Sequence, residues 1–76
     1  MSNRMVTIKL FKEEDMNKPY DAVPDSAYMP SFLSGDIDKQ NIEKRIVNSF
    51  LKTNTDVVKV AWSYQDDLDT IHWMDV

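Results

Sequence analysis

The sequence predicts an α+β fold, a three-stranded antiparallel sheet with one helix packed across one face, in the order strand, long loop, helix, strand, strand. Three observations carry this expectation: an apolar period of two near the N-terminus, an apolar stripe of helical period in the middle, and a β-branched, aromatic run with a short partner at the end.

In "MVTIKLF" at 5–11, Val6, Ile8 and Leu10 alternate with Thr7 and Lys9, the pattern of a half-buried strand. Over 36–53, Ile42, Ile46, Val47, Phe50 and Leu51 fall on one helical stripe. Asp36 or Asp38 is placed to cap the free N–H groups of the first turn, and Asn54 suits the exit. "TDVVKVAWSY" at 55–64 puts Val58, Val60, Trp62 and Tyr64 on one face and Val57, Lys59, Ala61 and Ser63 on the other. "TIHWM" at 70–74 reads as its partner strand, with "QDDLD" at 65–69 as a hairpin loop.

The connection over 13–35 contains Pro19, Pro24 and Pro30, which exclude a long helix or a central strand. It also carries Met16, Tyr20, Val23, Tyr28, Met29, Phe32 and Leu33, and a loop of that length in a small domain tends to be functional or disordered. A short helical turn around 25–29, capped by Asp25 or Ser26, is expected within it.

A chain of 76 residues makes one domain, over 1–76, with a core so small that a homodimer is expected. No cysteine is present, which removes thiolate metal sites and cysteine nucleophiles and fits a reducing cytoplasm. Neither a signal-peptide h-region nor a membrane-length apolar run is visible, so a cytoplasmic protein is the expectation.

The net charge of −4 conceals segregation. Residues 1–12 carry Arg4, Lys9 and Lys12 and no acid, whereas 13–38 carry seven acids against Lys18. Residues 39–60 carry five bases against Glu43 and Asp56, and 61–76 carry Asp66, Asp67, Asp69 and Asp75 with no base. Such blocks point to a folded protein with an acidic face.

Asp66, Asp67, Asp69 and His72 have donor types that suit a metal, but a calcium loop needs a turn glycine and a terminal glutamate, and both are missing. His72 as a general base lacks an orienting partner and a nucleophile motif, and the chain has a single glycine, Gly35, so no glycine-rich phosphate loop exists. A solvent-side strand histidine, no enzyme activity and no cofactor are therefore expected. Lys39, Lys44, Arg45 and Lys52 decorate the helix, but an acidic chain with a sequence pI of 4.7 does not favour direct nucleic-acid binding.

Acids on strand ends and loop edges instead suggest mimicry. Same-face strand positions recur every ~6.6–6.8 Å, so carboxylates there can imitate a phosphate backbone. Asp66, Asp67, Asp69 and Asp75 would steer a basic partner, and Trp73 or Tyr64 would anchor it. Glu13, Glu14, Asp15, Asp21, Asp25, Tyr28 and Phe32 form a second expected contact set. The competing reading makes the acids a solubility device and the aromatics core.

In length, in its "MVTIKLFKEED" opening and in its acidic, aromatic end, the chain resembles the sliding-clamp inhibitors of Twort-like staphylococcal phages, within the small, acidic, cysteine-free early proteins of lytic phages. The resemblance implies a protein that binds the replication clamp, blocks its DNA channel or its loader, and stops host DNA synthesis. "QDDLD" is similar to the bacterial clamp-binding peptide at Gln65 and Leu68, but Asp69 stands where phenylalanine is expected, which speaks against insertion into the peptide pocket and is compatible with a charge-led contact with the basic channel. Alternatives are an inhibitor of a nucleoid protein, a polymerase or a defence nuclease, or a small self-assembling structural protein.

Overall fold

The structure, a computed structural model, describes residues 4–31 and 38–76. The alternation near the N-terminus becomes β1, Arg4–Lys12. It sits in the middle of the sheet, between β2 (Ala27–Ser31) and β3 (Val57–Tyr64), with β4 (Asp67–Asp75) outside β3. All neighbouring pairs are antiparallel.

The expected three-stranded sheet is thus corrected to four strands, although the α+β class holds. The added strand is β2, in the place of the helical turn expected at 25–29. Ser26 shows why no helix starts there: its N–H donates to the Ile8 carbonyl at 2.8 Å, and its Oγ accepts the Leu10 N–H at 3.0 Å. Pro30 is compatible with a strand because β2 is an edge, where one side of the backbone needs no partner.

The helical stripe yields α1, Asp38–Ile46, followed by one wide π-helical turn at Val47–Leu51. Ile42 and Ile46 are fully buried on Val6, Ile8, Val60 and Trp62, with Phe50 and Leu51 packed beside them. Val47, expected in the stripe, is 41% exposed, because the wider turn changes the rotation per residue after Ile46. The Trp62 indole N–H, buried under the helix, donates to Glu43 Oε2 at 3.3 Å. Asp36 lies outside the described residues, as does Phe32.

Two registers depart from simple alternation. Phe11 faces Lys59 but Lys12 faces Val57, so a bulge at Val58 turns Val57 into the core and leaves Val58 exposed, the reverse of the expected faces. In the last hairpin, Tyr64 faces Asp67 while Trp62 faces His72, which leaves residues 68–71 bulged opposite Ser63. The expected loop at 65–69 is therefore only a turn at Gln65 and Asp66, and Asp67, Leu68 and Asp69 belong to β4. His72 is not a solvent-side residue: it lies on the helix side, half-buried and stacked on Trp62 with centroids 4.2 Å apart.

The other sheet face is also covered in part. After β1 the chain makes two short 3₁₀ turns, Glu13–Asn17 and Tyr20–Ala22. Val23 and Tyr20 then pack on Phe11, Ala61 and Ile71, forming a second, smaller core. Among the described residues no helix is long and apolar enough to cross a membrane.

Candidate binding face

The face away from α1 is built from the odd positions of β1 and their cross-strand partners. Because β1 alternates, Thr7, Lys9 and Phe11 point away from the helix, and the register brings Tyr28 and Ser63 beside Thr7 and Ala61 beside Lys9. On β4, Trp73 joins them opposite Ala61.

This face has two halves. At one end Phe11, Tyr20 and Trp73 form an aromatic triad with centroids 5.5–6.2 Å apart. Phe11 is buried, whereas Trp73 is 48% exposed and has the Lys59 ammonium 5.2 Å from its ring centre. At the other end lies an open cleft of about 550 Å³, floored by Thr7, Lys9 and Ser63 and walled by Asp21, Asp25, Tyr28 and Asp69 among others.

Lys9 is held at the boundary between the two. Its Nζ donates to the Tyr20 carbonyl at 3.0 Å, stands 4.0 Å over the Tyr20 ring and lies 4.0 Å from Asp25 Oδ1. The Tyr28 hydroxyl donates to Asp25 Oδ2 at 3.1 Å, and that bond to a carboxylate raises the phenol pKa. Burial raises that of Tyr20, with Asp25 and Asp21 adding to the effect. By contrast, Asp21 and Asp69 make no ion pair or side-chain hydrogen bond among the described residues.

The expected site residues therefore separate into groups. Asp21, Asp25, Tyr28 and Asp69 converge on the cleft, and Trp73 lies on the same face. Glu13 and Glu14 are exposed in the first 3₁₀ turn, beside Lys12, Asn17 and Asp56. Asp15 serves the fold: it accepts the Lys12 backbone N–H at 3.0 Å and the Lys18 ammonium at 3.1 Å, bonds that lower its pKa in that order. Asp66 is also engaged, gripped by Arg4 through Nε at 3.0 and 3.2 Å and Nη2 at 2.6 Å, and this hydrogen bonding lowers its pKa.

The Arg4 guanidinium lies 3.5 Å over the Tyr64 ring, which also meets Trp62 edge-on at 5.5 Å, so Tyr64 belongs to the helix-side face. Asp67 is exposed at the start of β4, and Asp75 sits at its far end, 3.9 Å from Lys59. Asp66, Asp67, Asp69 and Asp75 consequently do not form one row. In the clamp-peptide-like stretch, the Gln65 N–H is tied to the Met5 carbonyl at 2.9 Å, and Leu68 is 59% exposed in β4.

Sequence reasoning missed Thr7, Lys9 and Ser63, which it assigned to an outward polar side. The available signal was Phe11 and Val23, apolar residues with no place in a single core on the helix side. The helix layer, in contrast, carries Lys44, Arg45 and Lys52, and the carboxylate of its Glu43 is occupied by Trp62.

Among the described residues no group of three or more His, Cys, Asp or Glu side chains is placed to hold a metal ion. What the face offers is fixed acceptors, spread over a concave surface, next to a half-exposed indole. No family model matches the sequence, and no curated protein or solved structure matches it either.

Proposed function

We propose that the chain is a phage-type inhibitor that binds a DNA-binding replication protein of the host through the acidic, aromatic face opposite α1, and so blocks access of DNA. The observation that carries this reading is the grouping of Asp21, Asp25 and Asp69 with exposed Tyr28 on the same face as half-exposed Trp73, away from the basic helix layer. The sliding clamp is the first target, on the resemblance of the opening and the acidic end to clamp inhibitors. The mechanism needs no chemistry. Carboxylates steer the face toward a basic groove over distances of about 10 Å at 0.1 M salt, and the aromatic side chains exclude water at contact.

The test is the association rate with a purified bacterial sliding clamp, followed by surface plasmon resonance. Asp21→Lys with Asp69→Lys is expected to slow association by roughly tenfold at low salt and to flatten its salt dependence, whereas Lys44→Glu on the opposite layer leaves it unslowed. Unchanged rates in the double variant, or clamp binding indifferent to added duplex DNA, would contradict the reading.

A further inference from the structure

The cleft has a feature that solubility does not account for. Thr7 and Ser63 face each other directly on adjacent strands, are 7% and 3% exposed, and both line the cleft. Neither hydroxyl has a hydrogen-bond partner among the described residues. Buried hydroxyls are normally hydrogen-bonded, so each of these needs its partner from the cleft, a water or a ligand group. Valine or alanine at these positions would fill the same strand with no polar atom to satisfy. Two such hydroxyls side by side lie below the carboxylates of Asp21 and Asp69, which are unpaired among the described residues, and together they can accept from a donor that enters the cleft.

The donor's chemistry follows from the arrangement. The walls are acidic: Lys9 offsets one of the three carboxylates through its contact with Asp25, and the other two have no ion pair among the described residues. A compact cation would need those carboxylates gathered on one point, and they are not so gathered. A planar guanidinium has five N–H donors in a fixed fork, able to reach a pair of floor hydroxyls and a wall carboxylate together, whereas an ammonium is a point charge with three. The protein already contains one such assembly, with Arg4 bidentate on Asp66 and lying over Tyr64.

We propose that the cleft between Thr7, Ser63, Asp21 and Asp69 receives one guanidinium group, the side chain of an arginine on the protein partner. The proposal deepens the reading given above and rests on it for the kind of partner. A DNA-binding surface presents arginines to phosphates, so the cleft would take a side chain that DNA otherwise occupies.

The test titrates the isotope-labelled protein with N-acetyl-arginine amide and with its citrulline and lysine counterparts, and follows backbone amide shifts by NMR. Saturable shifts confined to residues around Thr7, Ser63, Tyr28 and Asp69 are expected with the arginine compound. The neutral citrulline compound should give none, and the lysine compound should bind roughly threefold or more weakly. Absence of saturation, an equal response to citrulline, or an equal response to lysine would overturn the proposal.

Thr7→Val with Ser63→Ala should fold with an unchanged or higher urea midpoint, since an unsatisfied buried group is removed, while losing roughly fivefold or more in affinity for the arginine compound. Full affinity in that variant would overturn the assignment. Should the core substitutions prevent folding, Asp69→Asn on the exposed strand provides the same readout and must also lose affinity. The two readings fail separately. An arginine response without any DNA-binding partner retains the cleft and removes the host target, and a clamp complex without an arginine response does the reverse.

Discussion

Asp66 and Asp69 lie in one run of acids, yet Asp66 is held by Arg4, whereas Asp69 makes no ion pair or side-chain hydrogen bond among the described residues. Together with Asp15, Asp66 is a structural carboxylate: hydrogen bonds from Arg4, and from Lys12 and Lys18, set both pKa values below the ordinary aspartate value. A carboxyl depressed in the folded state contributes stability above its unfolded pKa, and that contribution is lost as pH falls through the folded value. The protein should therefore lose stability below about pH 4, and Asp15→Asn with Asp66→Asn should both destabilise at pH 7 and flatten the acid limb. Urea midpoints measured from pH 7 down to pH 2.5 check this; an unaltered acid limb in the double variant would contradict it. The sequence could not distinguish the two acids, because Arg4 stands 62 residues from Asp66 and only the pairing of β1 with β3 joins them.

At the scale of elements, β1, the core-facing part of α1 and most of β3 were legible, since each buries a face whose period survives in the sequence. β2 was not, because five residues interrupted by Pro30 give too short a pattern, and its inward residues, Ala27, Met29 and Ser31, include a polar one. The start of β4 was hidden for another reason: residues 68–71 bulge, so Asp67, Leu68 and Asp69 show no alternation. β4 is also an edge strand of nine residues, Asp67–Asp75, and open edges invite pairing with another chain. Full-length antiparallel pairing of two copies centred on Ile71 would set Asp67 against Asp75, and like charges directly opposed disfavour it. Replacing Asp67, Asp69 and Asp75 with threonine should strengthen self-association by a few-fold to roughly tenfold in sedimentation velocity. An unchanged distribution would show that these acids do not guard the edge.

Over the whole molecule, the charge blocks of the sequence become two layers. The connection after β1 packs on the face away from α1, and Lys44, Arg45 and Lys52 of the middle block go with the helix layer, whereas Lys59 lies over Trp73 on the opposite face. The segregated charge of the sequence raises the expectation of an acidic face. Which acids would make it was not legible: the expected row on the last hairpin divides between both sides of the sheet, and the cleft depends on strand neighbours far apart in sequence, such as Thr7 and Ser63. The central claim is that this face captures a DNA-binding protein by charge and aromatic contact. Its most direct test is capture from a bacterial lysate at low and at high salt, with the parent protein and the Asp21→Lys, Asp69→Lys variant side by side. The account predicts that the parent retains a sliding clamp or another DNA-binding protein at low salt, that high salt releases it, and that the variant fails to retain it. Retention of the same protein by parent and variant alike, or retention only of proteins without a nucleic-acid site, would contradict it.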